Sequence, residues 1–361
     1  MTWDKRSDTT VHERDPYNAE PSRAALVGHM ITPADTFYSR NHGPIPAVAP
    51  IDWRLRVDGL VDTPLLLSLA DLRSGFPERE VVATMQCAGA RRADFLPVRD
   101  IPGEAPWGPC AISTARWTGV SLGDVLAAAG LRPETAHVSF AAPDVSQVAD
   151  PPATYGSSIP VDKARSPEVL LAWAMNGEPL ARVHGAPVRV VVPGYIGARS
   201  VKWVSALTAS AAPSDNYFQS TAYRLLPADT DPTTSGPGVG FSLGPVALNA
   251  DILSPDPGTH VSPGATTVRG FAYAGDDRSV VRVDVSTDEG NSWRQATLEQ
   301  DDGPWAWCLW QIDLELPPGA AHVLARAWDS TGACQPESAA ALWNPKGYIN
   351  NSWAHLDLVV Q

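Results

Sequence analysis

In residues 281–286 and again in 311–316 apolar side chains recur at every second position, a spacing that a strand gathers on one face and a helix would scatter around its circumference. Val281, Val283 and Val285 alternate with Arg282, Asp284 and Ser286. Ile312, Leu314 and Leu316 alternate with Gln311, Asp313 and Glu315. The run 323–328 follows and ends at the turn Asp329-Ser330-Thr331-Gly332, and Asp288-Glu289-Gly290-Asn291 is a second turn signal. Several short strands with turns between them predict an antiparallel β-sandwich of immunoglobulin type for residues 241–361.

The alternation begins after a break in composition. Residues 227–240 crowd Pro, Thr, Gly and Ser together and read as an interdomain linker. A chain of 361 residues is long enough for two domains. Residues 1–30 are polar and read as an N-terminal arm wrapping the surface. Residues 31–226 mix short strands, loops and a few helices, so the whole chain reads as α+β. Ser68-Leu69-Ala70-Asp71 and Ser121-Leu122-Gly123-Asp124 have the form of helix-capping boxes. Gly130 reads as the stop of the helix that the second box opens. The apolar run 169–175 meets Asn176-Gly177, a hairpin turn signal. The run 187–193 is β-branched, bracketed by prolines and too short for a helix.

Charge and cysteine usage exclude several functions. A net charge of -13 and a pI near 5.0 argue against nucleic acid or an anionic membrane surface as partner. No run of 18 apolar residues is present to cross a bilayer. Cys87, Cys110, Cys308 and Cys334 make no CxxC and no CxxCH pair, which excludes a zinc ribbon, a disulfide framework and a c-type haem. The opening Met1-Thr2-Trp3-Asp4-Lys5-Arg6 is polar and shows no export signal. The expectation is a cytoplasmic enzyme, or a periplasmic one if a signal was removed.

Chemistry concentrates in Thr84-Met85-Gln86-Cys87-Ala88-Gly89-Ala90-Arg91-Arg92. A thiolate is a soft metal ligand, a glycine permits close approach, and paired guanidinium groups hold an oxyanion. A lone cysteine is more often a small buried apolar residue, so the neighbouring clusters decide. Tyr38-Ser39-Arg40-Asn41-His42-Gly43-Pro44 sets donors on an irregular segment that is either a solvated loop or an anion cradle. His184-Gly185-Ala186-Pro187-Val188-Arg189 leads a histidine and an arginine into a buried strand, where the arginine could equally snorkel from the edge. The stretch from Gly194 through Tyr195-Ile196-Gly197-Ala198-Arg199-Ser200-Val201-Lys202-Trp203 has the makings of a phosphate cradle, without Walker A or Rossmann spacing. Tyr155-Gly156-Ser157-Ser158 places a tyrosine beside small residues, as a pocket hydroxyl or an aromatic anchor.

In this order the clusters resemble the sulfite oxidase family of molybdopterin enzymes. Tyr17-Asn18-Ala19-Glu20-Pro21, Gln86-Cys87-Ala88-Gly89 and Ser200-Val201-Lys202-Trp203 carry the resemblance, and Trp343-Asn344-Pro345-Lys346-Gly347 extends it into a dimerisation domain. The resemblance implies a molybdenum–molybdopterin cofactor (Mo-MPT) with Cys87 as protein ligand to the metal, and no haem in this chain. It implies that Tyr38, Ser39, Arg40, Asn41, His42, Asp144, His184, Arg189, Ser200, Val201 and Lys202 hold the pterin and its phosphate. Arg40, Arg92 and Tyr155 would line the substrate pocket and act with Cys87. The implied reaction is oxidation of sulfite to sulfate by a homodimer. Electrons would pass to an external acceptor: a cytochrome, another carrier or oxygen. Nitrate reduction by the same cofactor is the alternative. Ala90, Ala93-Asp94-Phe95 and Lys346 depart from the family pattern and bear on the substrate.

Overall fold

The computed structural model describes residues 3–300 and 303–361, so Met1 and Thr2 of the expected arm lie outside the described residues. Two five-stranded sheets build the N-terminal two thirds. In the first, Leu170–Met175 lies between Ile112–Ser121 and the short strands Glu178–Pro179 and Arg189–Val191, and Glu78–Gln86 forms the far edge. In the second the order is Leu65–Ser68, Arg54–Gly59, Ala206–Ser210, His137–Ser146, Ala153–Pro160. The run 169–175 is apolar because Leu170, Leu171 and Ala172 are covered on both faces. Asn176 and Gly177 both take positive φ, 55° and 82°, and turn that strand back as the dipeptide predicts.

The two expected caps part ways. Ser68 caps Leu69–Gly75 reciprocally with Asp71. Ser121 makes no side-chain cap to Leu122–Ala129. The Leu122 N–H donates to Val169 O at 2.8 Å, so the first donor of this helix is satisfied by an adjacent segment rather than by a cap. Gly130 closes the helix in the left-handed region as expected.

The N-terminal arm does more than wrap the surface. Thr10–Arg14 pairs with Tyr17–Glu20, and all four residues of the second strand are buried. Asn18 accepts the Asn41 N–H, and Glu20 accepts from the N–H groups of Gly108 and Cys110. Residues 227–240 are not a free tether either. Leu225 pairs with Phe241, and the Arg224 guanidinium donates to the carbonyls of Gly238, Val239 and Gly240.

The C-terminal third is the expected sandwich. One sheet orders Asn249–Ser254, Gly264–Tyr273, Cys308–Leu316, Thr297–Gln300. The other orders His260–Val261, Ala354–Val360, Gly319–Asp329, Val280–Ser286, Arg294–Gln295. Val283, Val285, Ile312, Leu314, Val323 and Leu356 meet between them. Val281 breaks the predicted alternation: it is 50% exposed, while Val280 is buried. The register shifts between Val280 and Arg282, and one extra residue reverses the facing of every position before it. Phe271, Tyr273 and Trp307 of this domain share an apolar cluster with Val190, Val192 and Val204. The sandwich therefore closes one side of the site-bearing half.

Candidate active site

Cys87 is the first residue after the strand Glu78–Gln86, where pairing ends and the chain turns. Its N–H donates to Ala111 O at 2.9 Å, and the Gly89 N–H points at its sulfur at 3.4 Å. Burial raises the thiol above its ordinary pKa, against the pull of Arg40 and Arg92. The Cys87 side chain faces a cavity also lined by Tyr38, Ser39, Arg40, Asn41, His42, Asp144, Tyr155, His184, Arg189, Ser200 and Lys202. Segments distant in sequence thus converge on one cavity. Val201 does not line it: its side chain is 1% exposed within the apolar core, and its carbonyl accepts from Val190 N–H.

One end of the cavity is a cluster of cations. Arg189 donates to His184 O and Ser200 O, both at 3.0 Å, and burial lowers its pKa to about 10. Lys202 Nζ donates to Arg40 O at 3.0 Å, to Val183 O at 3.1 Å and to Asn41 Oδ1. Burial, then Arg189, pushes its pKa well down. Burial, then Lys5, keeps His184 neutral. Among the described residues Arg40, Arg189 and Lys202 form no ion pair with a carboxylate. Burial lifts the Asp144 carboxyl to about 6 against the pull of Lys202. Asp144 Oδ1 and Ser39 Oγ are buried without a hydrogen-bond partner. Unpaired cations beside orphaned polar atoms are costly in a bare cavity and suit a polar, anionic ligand. These residues fit a pterin with a phosphate, and the Cys87 sulfur fits a metal carried at its other end.

A second opening adjoins the first and shares Arg40, His42 and Tyr223 with it. Here Arg92, Glu104, Lys346 and Tyr348 meet. Arg92 donates from Nε to Lys346 O at 3.0 Å and from Nη1 to Ala105 O at 2.8 Å, and Nη2 lies 3.4 Å from Glu104. Lys346 Nζ sits 2.9 Å from the other carboxylate oxygen of Glu104. The guanidinium also lies over the Tyr348 ring, 5.4 Å from its centre. The sandwich domain reaches this close because residue 347 is glycine: a Cβ there would sit 2.7 Å from Arg92 Cγ.

The arginine pair divides its work. Arg91 points away, into the domain interface, where it bonds Asp251 at 2.9 Å and Ser352 O at 2.6 Å. Arg92 alone of the two lines the cleft. Gly89, read as room for a bulky ligand, makes room for the Arg92 guanidinium instead. The expected phosphate cradle is likewise different in detail: Gly194 packs on Asp276 and Trp305, and Gly197 admits the Tyr38 hydroxyl. Ser200 and Lys202 carry the cavity's side of that loop.

Tyr155 lines the Cys87 cavity but not the Arg92 cleft. Its hydroxyl is taken by Ala198 O at 2.7 Å, and its ring stacks on His42 at 4.5 Å. Tyr223, which no sequence motif singles out, faces both openings. Its hydroxyl lies 2.6 Å from His42 Nε2, and burial, then Arg40, keeps that imidazole neutral. Glu104, Lys346 and Tyr348 also join the site beyond the residues expected of it. Only Lys346 had a signal, the Trp343-Asn344-Pro345-Lys346-Gly347 motif.

Residues 42–218 match the oxidoreductase molybdopterin binding domain, and residues 244–361 match the Mo-co oxidoreductase dimerisation domain. The chain is 44% identical over 354 residues to sulfite oxidase of Gallus gallus, covering 95% of this chain and 76% of that protein. It is 40% identical over 362 residues to the mitochondrial sulfite oxidase of Rattus norvegicus, covering 97% of this chain and 65% of that protein. The crystal structure of the sulfane dehydrogenase SoxCD from Paracoccus pantotrophus is similar at a TM-score of 0.81 and 26% identity, covering 97% of this chain and 88% of that one.

Proposed function

The chain belongs to the sulfite oxidase family of molybdopterin oxidoreductases, and from that premise we propose that it oxidises sulfite to sulfate and passes two electrons to an external acceptor. The reaction consumes sulfite and water and yields sulfate, two protons and two electrons. One observation carries this reading: Arg40 lines both the cavity of the Cys87 thiol and the cleft of Arg92 and Lys346. A small oxyanion in that cleft would lie against the reacting end of a cofactor in the cavity.

When bound, the molybdenum–molybdopterin cofactor supplies the metal that accepts the electron pair and hands over an oxygen. The chain's own residues do the rest. Cys87 binds as thiolate, so the proton that burial favours must leave when the metal enters. Arg189, Lys202 and His184 form the end of the cavity suited to a phosphate, and Ser39 and Asp144 offer unused polar atoms to the ring edge. Arg40 and Arg92 orient the oxyanion through fixed guanidinium forks. Glu104 bridges Arg92 and Lys346 and offsets part of their charge, which limits how tightly the anionic product is held. Tyr223 adds a hydroxyl at the boundary of the two openings.

Pairing of two copies through residues 244–361 is part of the same reading, supported by the match to the dimerisation domain. Sedimentation at micromolar concentration tests it, and a purely monomeric protein contradicts it. For the reaction, Cys87→Ser made in a cofactor-competent host tests the assignment of the ligand. The variant should keep its pterin and lose at least about 100-fold in sulfite turnover. Wild-type turnover by the variant would overturn it.

A further inference from the structure

Lys5 reaches from the N-terminal arm to the outside of the cofactor cavity. Its Nζ donates to the carbonyl oxygens of Ala34 at 2.6 Å and Phe37 at 2.7 Å, and lies 2.7 Å from Nε2 of His184. Phe37 and His184 both line the cavity. One ammonium thus ties two of its walls together. The arm is fastened on either side of this contact. The Arg6 N–H donates to Asp35 O at 3.3 Å. The Trp3 ring packs on Tyr17 at 6.5 Å and under the Arg182 guanidinium at 5.6 Å.

Nε2 of His184 also lies 3.4 Å from the Ala34 carbonyl that Lys5 binds, so the arm and the wall it covers meet at one edge of this cavity-lining imidazole. Charge bears on the same contact. Burial lowers the Lys5 pKa to about 7, and Asp35 restores only part of the loss. Among the described residues Lys5 forms no ion pair, and the neighbouring cations are Lys202 and Arg189. The charged groups acting on His184 are therefore three cations, Lys5, Lys202 and Arg189, while Lys202 also pulls on the Asp144 carboxyl. Such a cluster opposes itself in the bare protein and becomes favourable once an anion enters.

We propose that residues 3–6 are a strap over the phosphate end of the bound cofactor, in which Lys5 supplies a cation and holds the His184 ring in place. Lys5 is a positioning residue, acting through His184 and through the wall it clamps. The inference rests on the cofactor reading above and deepens it: the anion that completes the strap is the pterin phosphate.

The test compares wild type with Lys5→Met in two forms, cofactor-loaded and cofactor-free. Released pterin is followed by its fluorescence after dilution of the loaded proteins, and thermal unfolding is recorded for both forms. Lys5→Met should release pterin about tenfold faster, the loss of one charge-assisted contact. The cofactor-free variant should lose clearly less melting temperature than the loaded one, because the contacts to Ala34 and Phe37 are lost in both forms but the attraction of the ammonium to the bound anion only in the loaded one. A variant that folds normally when empty but cannot retain pterin at all supports the strap more strongly still. Release at the wild-type rate would overturn the proposal. So would an equal loss of melting temperature in the empty and loaded forms, which would make Lys5 a general clamp. Wild-type protein carrying no pterin would instead overturn the cofactor reading, and this inference with it.

Discussion

A Cβ placed on Gly89 would lie 2.6 Å from Nη2 of Arg92, so the glycine two residues after Cys87 is the seat of the guanidinium three residues further on. The contact joins the metal-ligand end of the site to its anion clamp. Gly89→Ala should push Arg92 off its contacts with Ala105, Lys346 and Glu104 while leaving the cofactor cavity untouched. The expected result is a rise in KM for sulfite of about ten- to a hundredfold with unchanged pterin content. Steady-state kinetics with a pterin assay on the same sample checks it, and an unchanged KM would contradict the seating role.

Glu104 ties Arg92 to Lys346 and gives the site a pH signature. Burial alone would raise its carboxyl; Arg92, Lys346 and Arg40 outweigh burial and hold it below the ordinary 4.5. A depressed folded-state pKa stabilises the fold above the unfolded value, and that contribution is lost as pH falls through the folded one. At pH 7 Glu104→Gln should be less stable by roughly 2 kcal/mol, since it leaves the buried Arg92 and the half-buried Lys346 without their carboxylate. The gap between variant and wild type should narrow as pH falls below 4.5. Denaturant titrations at pH 7 and below pH 4.5 measure this, and a gap independent of pH would mean Glu104 is not ionised in the fold.

The two tyrosines separate by position. Tyr223 faces both openings, whereas Tyr155 faces only the cofactor cavity and donates its hydroxyl to Ala198 O. Tyr223→Phe should lower kcat/KM for sulfite by about tenfold, the value of one hydrogen bond at a reacting site. Tyr155→Phe should change sulfite kinetics less than about threefold, and its cost should appear in stability. Kinetics of both variants decide between them. A larger kinetic loss in Tyr155→Phe would restore the role that the family resemblance implies for it.

Much of the architecture was legible because its causes are local. Period-two alternation requires a strand whatever it packs on, Asn176-Gly177 turns a hairpin by its own φ preferences, and Gly130 ends a helix without help. The differences between expectation and structure all involve a partner from elsewhere in the chain. Ser121 makes no cap, and the first N–H of its helix is satisfied by Val169 O, far along the chain. Val281 faces outward because a bulge lies between Val280 and Arg282. Gly89 and Arg92 are near in sequence, yet the sequence alone does not tell which bulky group the glycine admits. Glu104 and Tyr223 carry no local motif of a binding site, and Lys346 sits in a motif of the dimerisation domain. They become a site only when the sheets bring residues 92, 104 and 223 against a loop of the sandwich. The cofactor cavity was easier, because each of its segments carries its own cluster of donors and glycines.

Sulfite as the reductant is the central claim, and rapid mixing of sulfite with the oxidised, cofactor-loaded enzyme tests it most directly. The expected result is a sulfite-dependent loss of the metal's charge-transfer absorbance, with two electrons taken up and one sulfate released per chain. A fully loaded enzyme whose spectrum sulfite leaves unchanged, while nitrate reoxidises its dye-reduced form, would contradict it.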